Sequence, residues 1–247
     1  MKYLFSTGLP RSGTTLFTKS MSANDEIMMA MGPNIEIYRF FRDALVKKYG
    51  TSNLKKIVKS GSPIQDYFGS KYKIELLNLM LNSDLNEKFD MKLWKNFLQK
   101  SISRVDHDST DLIKFFSQLK GNTYKEIIIN LLNIIKKQRK SHRRKYNGFN
   151  ESWNICSLKT LAQTFPNSKF IIILRDPRAV WTSLNKNATK RKDLRVQLLS
   201  LSRHFRKYVI LSNYYLSLPI FKKKLLIYRF EDLINNPKKI LKQICKF

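Results

Sequence analysis

Two kinds of hydrophobic patterning divide the chain. Three short stretches are continuously apolar: YLFST at 3–7, KFIIIL at 169–174 and KLLIYRF at 224–230. Short uninterrupted apolar runs of this kind, rich in β-branched residues in the middle case, predict buried strands of a parallel sheet. Elsewhere apolar residues recur every third or fourth position, the period of an amphipathic helix. NIEIYRFFRDALVKKYG (34–50) predicts a helix with Asn34 as its N-cap and Gly50 as its stop. KIELLNLMLN, MKLWKNFLQKSI, DLIKFFSQLK and TYKEIIINLLNIIKKQRK carry the helical period across 52–145.

The punctuation between these runs sharpens the picture. Gly8 closes the first strand, and a helix is predicted from about Thr14 to Met21. SLKTLAQTF gives a short helix and Pro166-Asn167-Ser168 a turn ahead of the second strand. In RDPRAVWTSLNK, Asp176 reads as an N-cap and Pro177 as the first helical residue. A long helix covers roughly 193–216, and EDLINNPKKILKQICKF gives one short helix and the start of another, with Glu231 and Asp232 as caps. The pattern breaks off there without a C-cap, as expected of a shortened C-terminus. Strands and helices at both ends predict an α/β fold, and 52–145 reads as a large helical insert. With no Pro/Gly/Ser-rich linker and no internal repeat, 1–247 is expected to be one domain.

Composition narrows the class. The 247 residues are 43% hydrophobic, enough for a sizeable core. Lys and Arg number 47 against 18 Asp and Glu, a formal charge of +29. Such a field attracts polyanions and concentrates anionic ligands, although lysine spread along the whole chain is equally the mark of a compositional bias. KKQRKSHRRK (136–145) concentrates that charge at a helix end. It is either a solvated run complementing the helix dipole or a docking surface for an acidic polymer. The two cysteines, Cys156 and Cys245, have no metal or redox spacing. Neither a leader peptide nor an apolar run of about 18 residues is legible, so no membrane span is expected and the cytoplasm is the default compartment, with a lumenal one if an anchor precedes this chain.

Chemistry enters with Gly8-Leu9-Pro10-Arg11-Ser12-Gly13-Thr14-Thr15. This strand, Gly-rich turn and helix start fit G-x-x-x-x-G, a cradle in which backbone N–H groups of residues 11 to 15 face an anion at a helix N-terminus. A triphosphate-binding loop would carry Lys at 14 to reach the terminal phosphates, yet Thr14 stands there, followed by Thr15. Nor does an apolar strand end in a metal-binding Asp. Both features argue against a kinase or GTPase. Arg11 instead places a planar cation inside the loop, suited to one phosphate with a further anionic group beside it. A second motif lies far along the chain. Arg175 ends the 169–174 strand, where open α/β sheets bind ligands, and Ser183 follows about two helical turns later. Together they can grip a separate phosphate, so the pair of motifs implies a nucleotide phosphorylated at both ends.

GLPRSGTTLF, FPNSKFIIILRDPRAVWTSL and LLIYRFEDLINNPKKILKQIC, in this order, resemble the P-loop sulfotransferases, with a flavour closest to the tyrosylprotein and bacterial-type branch. The resemblance covers roughly 1–35 and 150–247, leaving the helical middle outside it. It implies a P-loop-type three-layer fold around a central parallel sheet, and metal-independent, in-line transfer of a sulfuryl group from 3′-phosphoadenosine 5′-phosphosulfate (PAPS) to a hydroxyl or amine acceptor. Carried over position by position, Arg11, Ser12, Gly13, Thr14 and Thr15 would hold the 5′-phosphosulfate, with Arg11 also stabilising charge in the transition state. Arg175 and Ser183 would hold the 3′-phosphate.

A hydroxyl acceptor needs a general base. Glu36, the acid just beyond the first helix where related enzymes carry a glutamate, is the first candidate; its alternative role is a helix-N-terminal carboxylate favoured by the dipole. His107 is the second candidate, with a plain surface histidine as its alternative. His142 and His204 sit in basic or helical surroundings, and Asp25 and Glu26 read as turn residues. One departure stands out: Trp153-Asn154-Ile155-Cys156 occupies the place where related enzymes often have Lys-Asp-Pro, removing a donor contact. The acceptor is left open among a glycan, a protein tyrosine, a lipid and a small alcohol, with the charge favouring an acidic one. The competing reading is a non-catalytic nucleotide- or polyanion-binding protein on a degenerate sulfotransferase fold. No RNA-binding fingerprint supports a specific nucleic-acid partner.

Overall fold

A computed structural model describes residues 2–31, 35–58, 71–102, 115–138, 145–188 and 198–247. Its elements follow in chain order: β1 (Lys2–Gly8), α1 (Thr14–Ser22), β2 (Ile27–Met31), α2 (Ile35–Tyr49), α3 (Ser52–Ile57), α4 (Lys71–Leu81), α5 (Met91–Ile102) and α6 (Tyr124–Gln138). Then come β3 (Tyr146–Asn150), a 3-10 turn (Ser152–Cys156), α7 (Leu158–Thr164), β4 (Ser168–Leu174), α8 (Pro177–Ala188), α9 (Leu198–Ser217), β5 (Leu225–Arg229), α10 (Phe230–Asn235) and α11 (Pro237–Lys246). Of DLIKFFSQLK, residues 115–120 are described, and they form only a helical turn before the chain leaves the helix.

The five strands make one parallel sheet in the order β2-β3-β1-β4-β5. The three apolar runs of the sequence are β1, β4 and β5. The patterning did not reveal β2 and β3. In β3, YNGFN has little strand propensity. Its register explains the composition: Gly148 lies opposite Leu4 of β1, and a Cβ there would collide with the Leu4 carbonyl oxygen. β2 is IMMAM, an edge strand without a β-branched residue after Ile27.

Alternating side chains divide the core between the two sheet faces. Phe5, Met28, Phe149, Phe170 and Ile172 pack with the helical insert and with Tyr208, Leu211 and Tyr215 of α9. Leu4, Met29, Ile171, Ile173 and Tyr228 pack beneath α1, α10 and α11, through Phe17, Met21, Leu233, Ile240 and Ile244. The insert has its own aromatic cluster. Trp94 meets Phe40, Phe89, Phe97 and Phe116 with ring centroids 5.3 to 5.7 Å away.

Topology fixes where a ligand belongs. From β1 the chain moves over one face toward β2, and from β4 it moves over the other face toward β5. The carboxyl ends of β1 and β4, paired neighbours in the sheet, therefore flank a topological switch point. Among the described residues no helix is long and apolar enough to cross a membrane.

Candidate functional site: a two-arginine anion cradle

The loop from Gly8 to Gly13 begins as a tight turn. Ser12 N–H donates to the Leu9 carbonyl at 2.9 Å, with Pro10 and Arg11 at the two central positions. Arg11 has φ +68, the positive value that marks the third residue of a type II turn, a turn that also favours proline second. That conformation is uncommon for a side chain larger than Gly or Asn and stores about 1 kcal/mol or more. The bond corrects the simple cradle: Ser12 N–H is turned into the loop rather than toward a ligand. The N–H groups of the first turn of α1, at Thr14 and Thr15, have no acceptor within their own helix and keep that role.

Arg175 holds the strained residue in place. Its Nη1 donates to the Arg11 carbonyl at 2.6 Å, across 164 positions of chain. Arg11 Nε in turn donates to Ser183 Oγ of α8 at 3.0 Å. Arg11, Arg175 and Ser183, named from separate motifs, are thus joined by direct bonds. Two polar atoms remain without a hydrogen-bond partner although buried: Ser12 Oγ, in a fully buried residue and packed over Gly8, and Arg175 Nε. Orphaned buried donors carry a desolvation penalty that an incoming anion would relieve. Two guanidinium groups, two hydroxyls on the first turn of a helix and two orphaned polar atoms together fit a doubly charged anionic ligand.

The third stretch of sequence has a role the patterning did not show. Phe230 begins α10 directly after β5. Its ring lies 4.6 Å from the Arg175 guanidinium carbon, a cation–π contact, and also fills the space where a Cβ on Gly13 would stand. Gly13, at φ +89, is therefore required twice, by its backbone and by this ring. Glu231 does not cap its own helix as expected. Its Oε1 accepts the Asp176 N–H at 2.9 Å, at the start of α8. Asp176 caps α8 as its sequence promised: Oδ1 accepts from Arg178 N–H at 2.8 Å, and the Arg178 side chain pairs with the same carboxylate. The Arg178 side chain first, then backbone N–H groups, hold the Asp176 carboxyl down at about 2. β5 and α10 thereby brace the second motif against the first. No spacing rule ties Phe230 to Gly13, because their relation exists only after folding.

The candidate bases separate differently. Glu36 lies in the first turn of α2, five residues beyond β2 and hence on the same sheet edge. It is 4% exposed and paired with Arg39 Nη1 at 2.9 Å. Asn34, His107 and His142 lie outside the described residues. A further carboxylate escaped the sequence reading because β3 did. Glu151 follows β3, is buried, and its N–H donates to the Ser6 carbonyl at 3.1 Å, one strand away from the loop. Trp153-Asn154-Ile155-Cys156 forms the 3-10 turn, with Asn154 and Cys156 fully buried rather than presented to a ligand. That turn is fastened to β1 by α9. The Tyr208 hydroxyl donates to the Ser152 carbonyl at 2.5 Å and lies 3.1 Å from Thr7 Oγ1.

With this geometry in place, comparison with known proteins gives the family. A sequence model described as the sulfotransferase family matches residues 4–247. The chain belongs to the sulfotransferase family. Its fold is shared with solved members at low identity. The sulfotransferase domain from the curacin biosynthetic pathway is 18% identical, with 99% of this chain and 72% of that one covered and a TM-score of 0.51. A sulfotransferase from Alicyclobacillus acidocaldarius is 11% identical, with 100% and 80% covered and a TM-score of 0.50. No curated protein matches the sequence. The family match also spans the helical middle, which the sequence motifs alone left uncovered.

Proposed function

We propose that the chain transfers a sulfuryl group from PAPS to a hydroxyl or amine acceptor, using the switch-point edge as its donor site. Bound there, the donor would supply a sulfuryl group on a good phosphate leaving group. The bonded set of Arg11, Arg175 and Ser183, with the orphaned Ser12 Oγ and Arg175 Nε beside it, is the observation that carries this reading.

Each residue then has a task. The first turn of α1, with Thr14 and Thr15, orients the 5′ group by N–H and hydroxyl donors. Arg175, braced by Phe230, and Ser183 take the 3′-phosphate, with Arg175 Nε finding its missing acceptor. Arg11, released from Ser183, neutralises charge developing on the sulfuryl oxygens. In-line group transfer of this kind is served mainly by positioning and preorganised charge, so no metal is needed in this reading. Glu36 accepts the acceptor's proton, with Arg39 fixing its orientation in the free protein.

A degenerate, nucleotide-binding relative is the second reading, favoured by the Glu36–Arg39 pair and the buried Asn154 and Cys156. Transfer of labelled sulfate to a panel of glycan, tyrosine-peptide, lipid and small-alcohol acceptors separates the two. Transfer to any acceptor class, lost in Arg11→Ala, supports the enzyme. Tight 3′,5′-ADP binding with no transfer to any acceptor supports the degenerate form.

A further inference from the structure

The edge of the sheet opposite the donor site is a lysine surface. Lys2 opens β1, Lys145 precedes β3, Lys169 is the second residue of β4, and Lys222, Lys223 and Lys224 lead into β5. Lys242 and Lys246 arrive with the end of α11, whose following Phe247 lies under the Lys169 ammonium at 4.5 Å. Lys169 also donates to the Lys223 carbonyl at 2.8 Å. The crowding has an electrostatic trace: burial first, then the charges of Lys2 and Lys224, pull the Lys169 ammonium below its usual range. Glu26 stands at the same edge and pairs with Lys145 at 2.5 Å. Lys145 is also the last residue of the basic run noted in the sequence.

This charge does not serve the donor. Strands of five to seven residues place it about 20 Å from the switch point, roughly two screening lengths in physiological salt. Its composition points to a partner. The described cations at this edge are lysines, compact point charges that suit a diffuse anionic field. Among them stand two rings, Tyr146 and Phe247, each already covered by a lysine ammonium, Lys2 at 5.6 Å and Lys169 at 4.5 Å. They are thus not offered as stacking platforms for bases. Beneath them lies a small apolar cleft lined by Leu4, Ile27, Tyr146, Ile244 and Phe247. Lysines around interfacial rings and apolar side chains, on a row of strand starts, match the interface of an acidic bilayer.

We propose that this edge docks the protein on an anionic phospholipid membrane, leaving the donor edge facing the solvent. The test is co-sedimentation with phosphatidylcholine vesicles containing about 30% phosphatidylserine, against pure phosphatidylcholine. One variant replaces Lys2, Lys145, Lys222 and Lys223 by Gln. A second, with the same change in net charge, replaces the exposed Lys55, Lys56, Lys92 and Lys95 of the insert. Each lysine near an acidic surface shifts partitioning by roughly fivefold, so the edge variant should bind anionic vesicles about a hundredfold or more weakly. The insert variant should lose less than about threefold, neutral vesicles should be ignored, and 3′,5′-ADP affinity should be unchanged in both. Equal losses in the two variants, or anionic binding untouched by the edge changes, overturns the proposal. So does a preference of the wild-type chain for single-stranded RNA over vesicles that depends on the same four lysines.

Discussion

The donor edge and the helical insert are built by opposite means. At the donor edge, residues more than 160 positions apart are tied by single polar bonds, as in Arg175 to Arg11 and Arg11 to Ser183. Arg11 is strained there, and Ser12 and Arg175 keep orphaned atoms. The insert is held instead by aromatic and aliphatic packing, with Trp94 at the centre of its ring cluster. One region combines unpartnered polar groups with local strain where the proposed ligand would bind; the other rests on apolar burial. Stability and ligand binding should therefore respond to changes in different places.

The sharpest way to break this contrast is Trp94→Ala. Removing a 1%-exposed ring from its cluster should lower stability by about 3–5 kcal/mol. Affinity for 3′,5′-ADP, measured well below the melting temperature, should change less than threefold by a rough expectation for distant, independent sites. A parallel loss of affinity would mean that the insert shapes the donor site. Arg11→Ala should do the reverse. Single-turnover transfer should slow by about 10²–10³, as when one preorganised donor is lost, while thermal stability moves by less than about 1 kcal/mol. A slowing smaller than about threefold contradicts the role given to Arg11.

Gly13→Ala falls between the two regions. Its Cβ meets the Phe230 ring and its φ of +89 disfavours any side chain. Stability should drop by about 1–3 kcal/mol, together with donor affinity, since Phe230 also seats Arg175. Loss of stability alone would detach Phe230 from the site. The smallest effect concerns Asp176, whose carboxyl is held at about 2 against a reference of 3.8. A depressed carboxylate pKa favours the folded state above the unfolded pKa, and the benefit disappears as pH falls through the folded one. Between about pH 4 and pH 2 the wild-type melting temperature should therefore fall more steeply than that of Asp176→Asn, and equal slopes would remove the cap from the account.

How much of this was legible followed from how local each cause was. β1 and β4 announce themselves because each is buried on both faces in one apolar run, and β5, a half-buried edge strand, keeps the same unbroken apolar pattern. β3 does not, because Gly148 answers the Leu4 carbonyl on another strand rather than anything nearby in sequence. Losing β3 also hid Glu151 beside the donor edge. The meeting of Arg11, Arg175 and Ser183 could be anticipated since each belongs to a strand-end motif. The seat of Phe230 on Gly13 and the reach of Glu231 to Asp176 were not, as both join segments that meet only in the fold. Ser12 N–H shows the reverse limit: the pattern located the loop, but only its geometry showed that this donor closes a turn.

The central claim is that two grips hold the two ends of one nucleotide, and calorimetric titration tests it most directly. Wild-type protein should bind 3′,5′-ADP about tenfold or more tightly than 5′-AMP, the worth of a charge-assisted contact to the second phosphate. In Arg175→Ala/Ser183→Ala that preference should vanish while 5′-AMP binding persists. A double variant that still prefers 3′,5′-ADP as strongly as the wild type would place the second phosphate elsewhere and contradict the account.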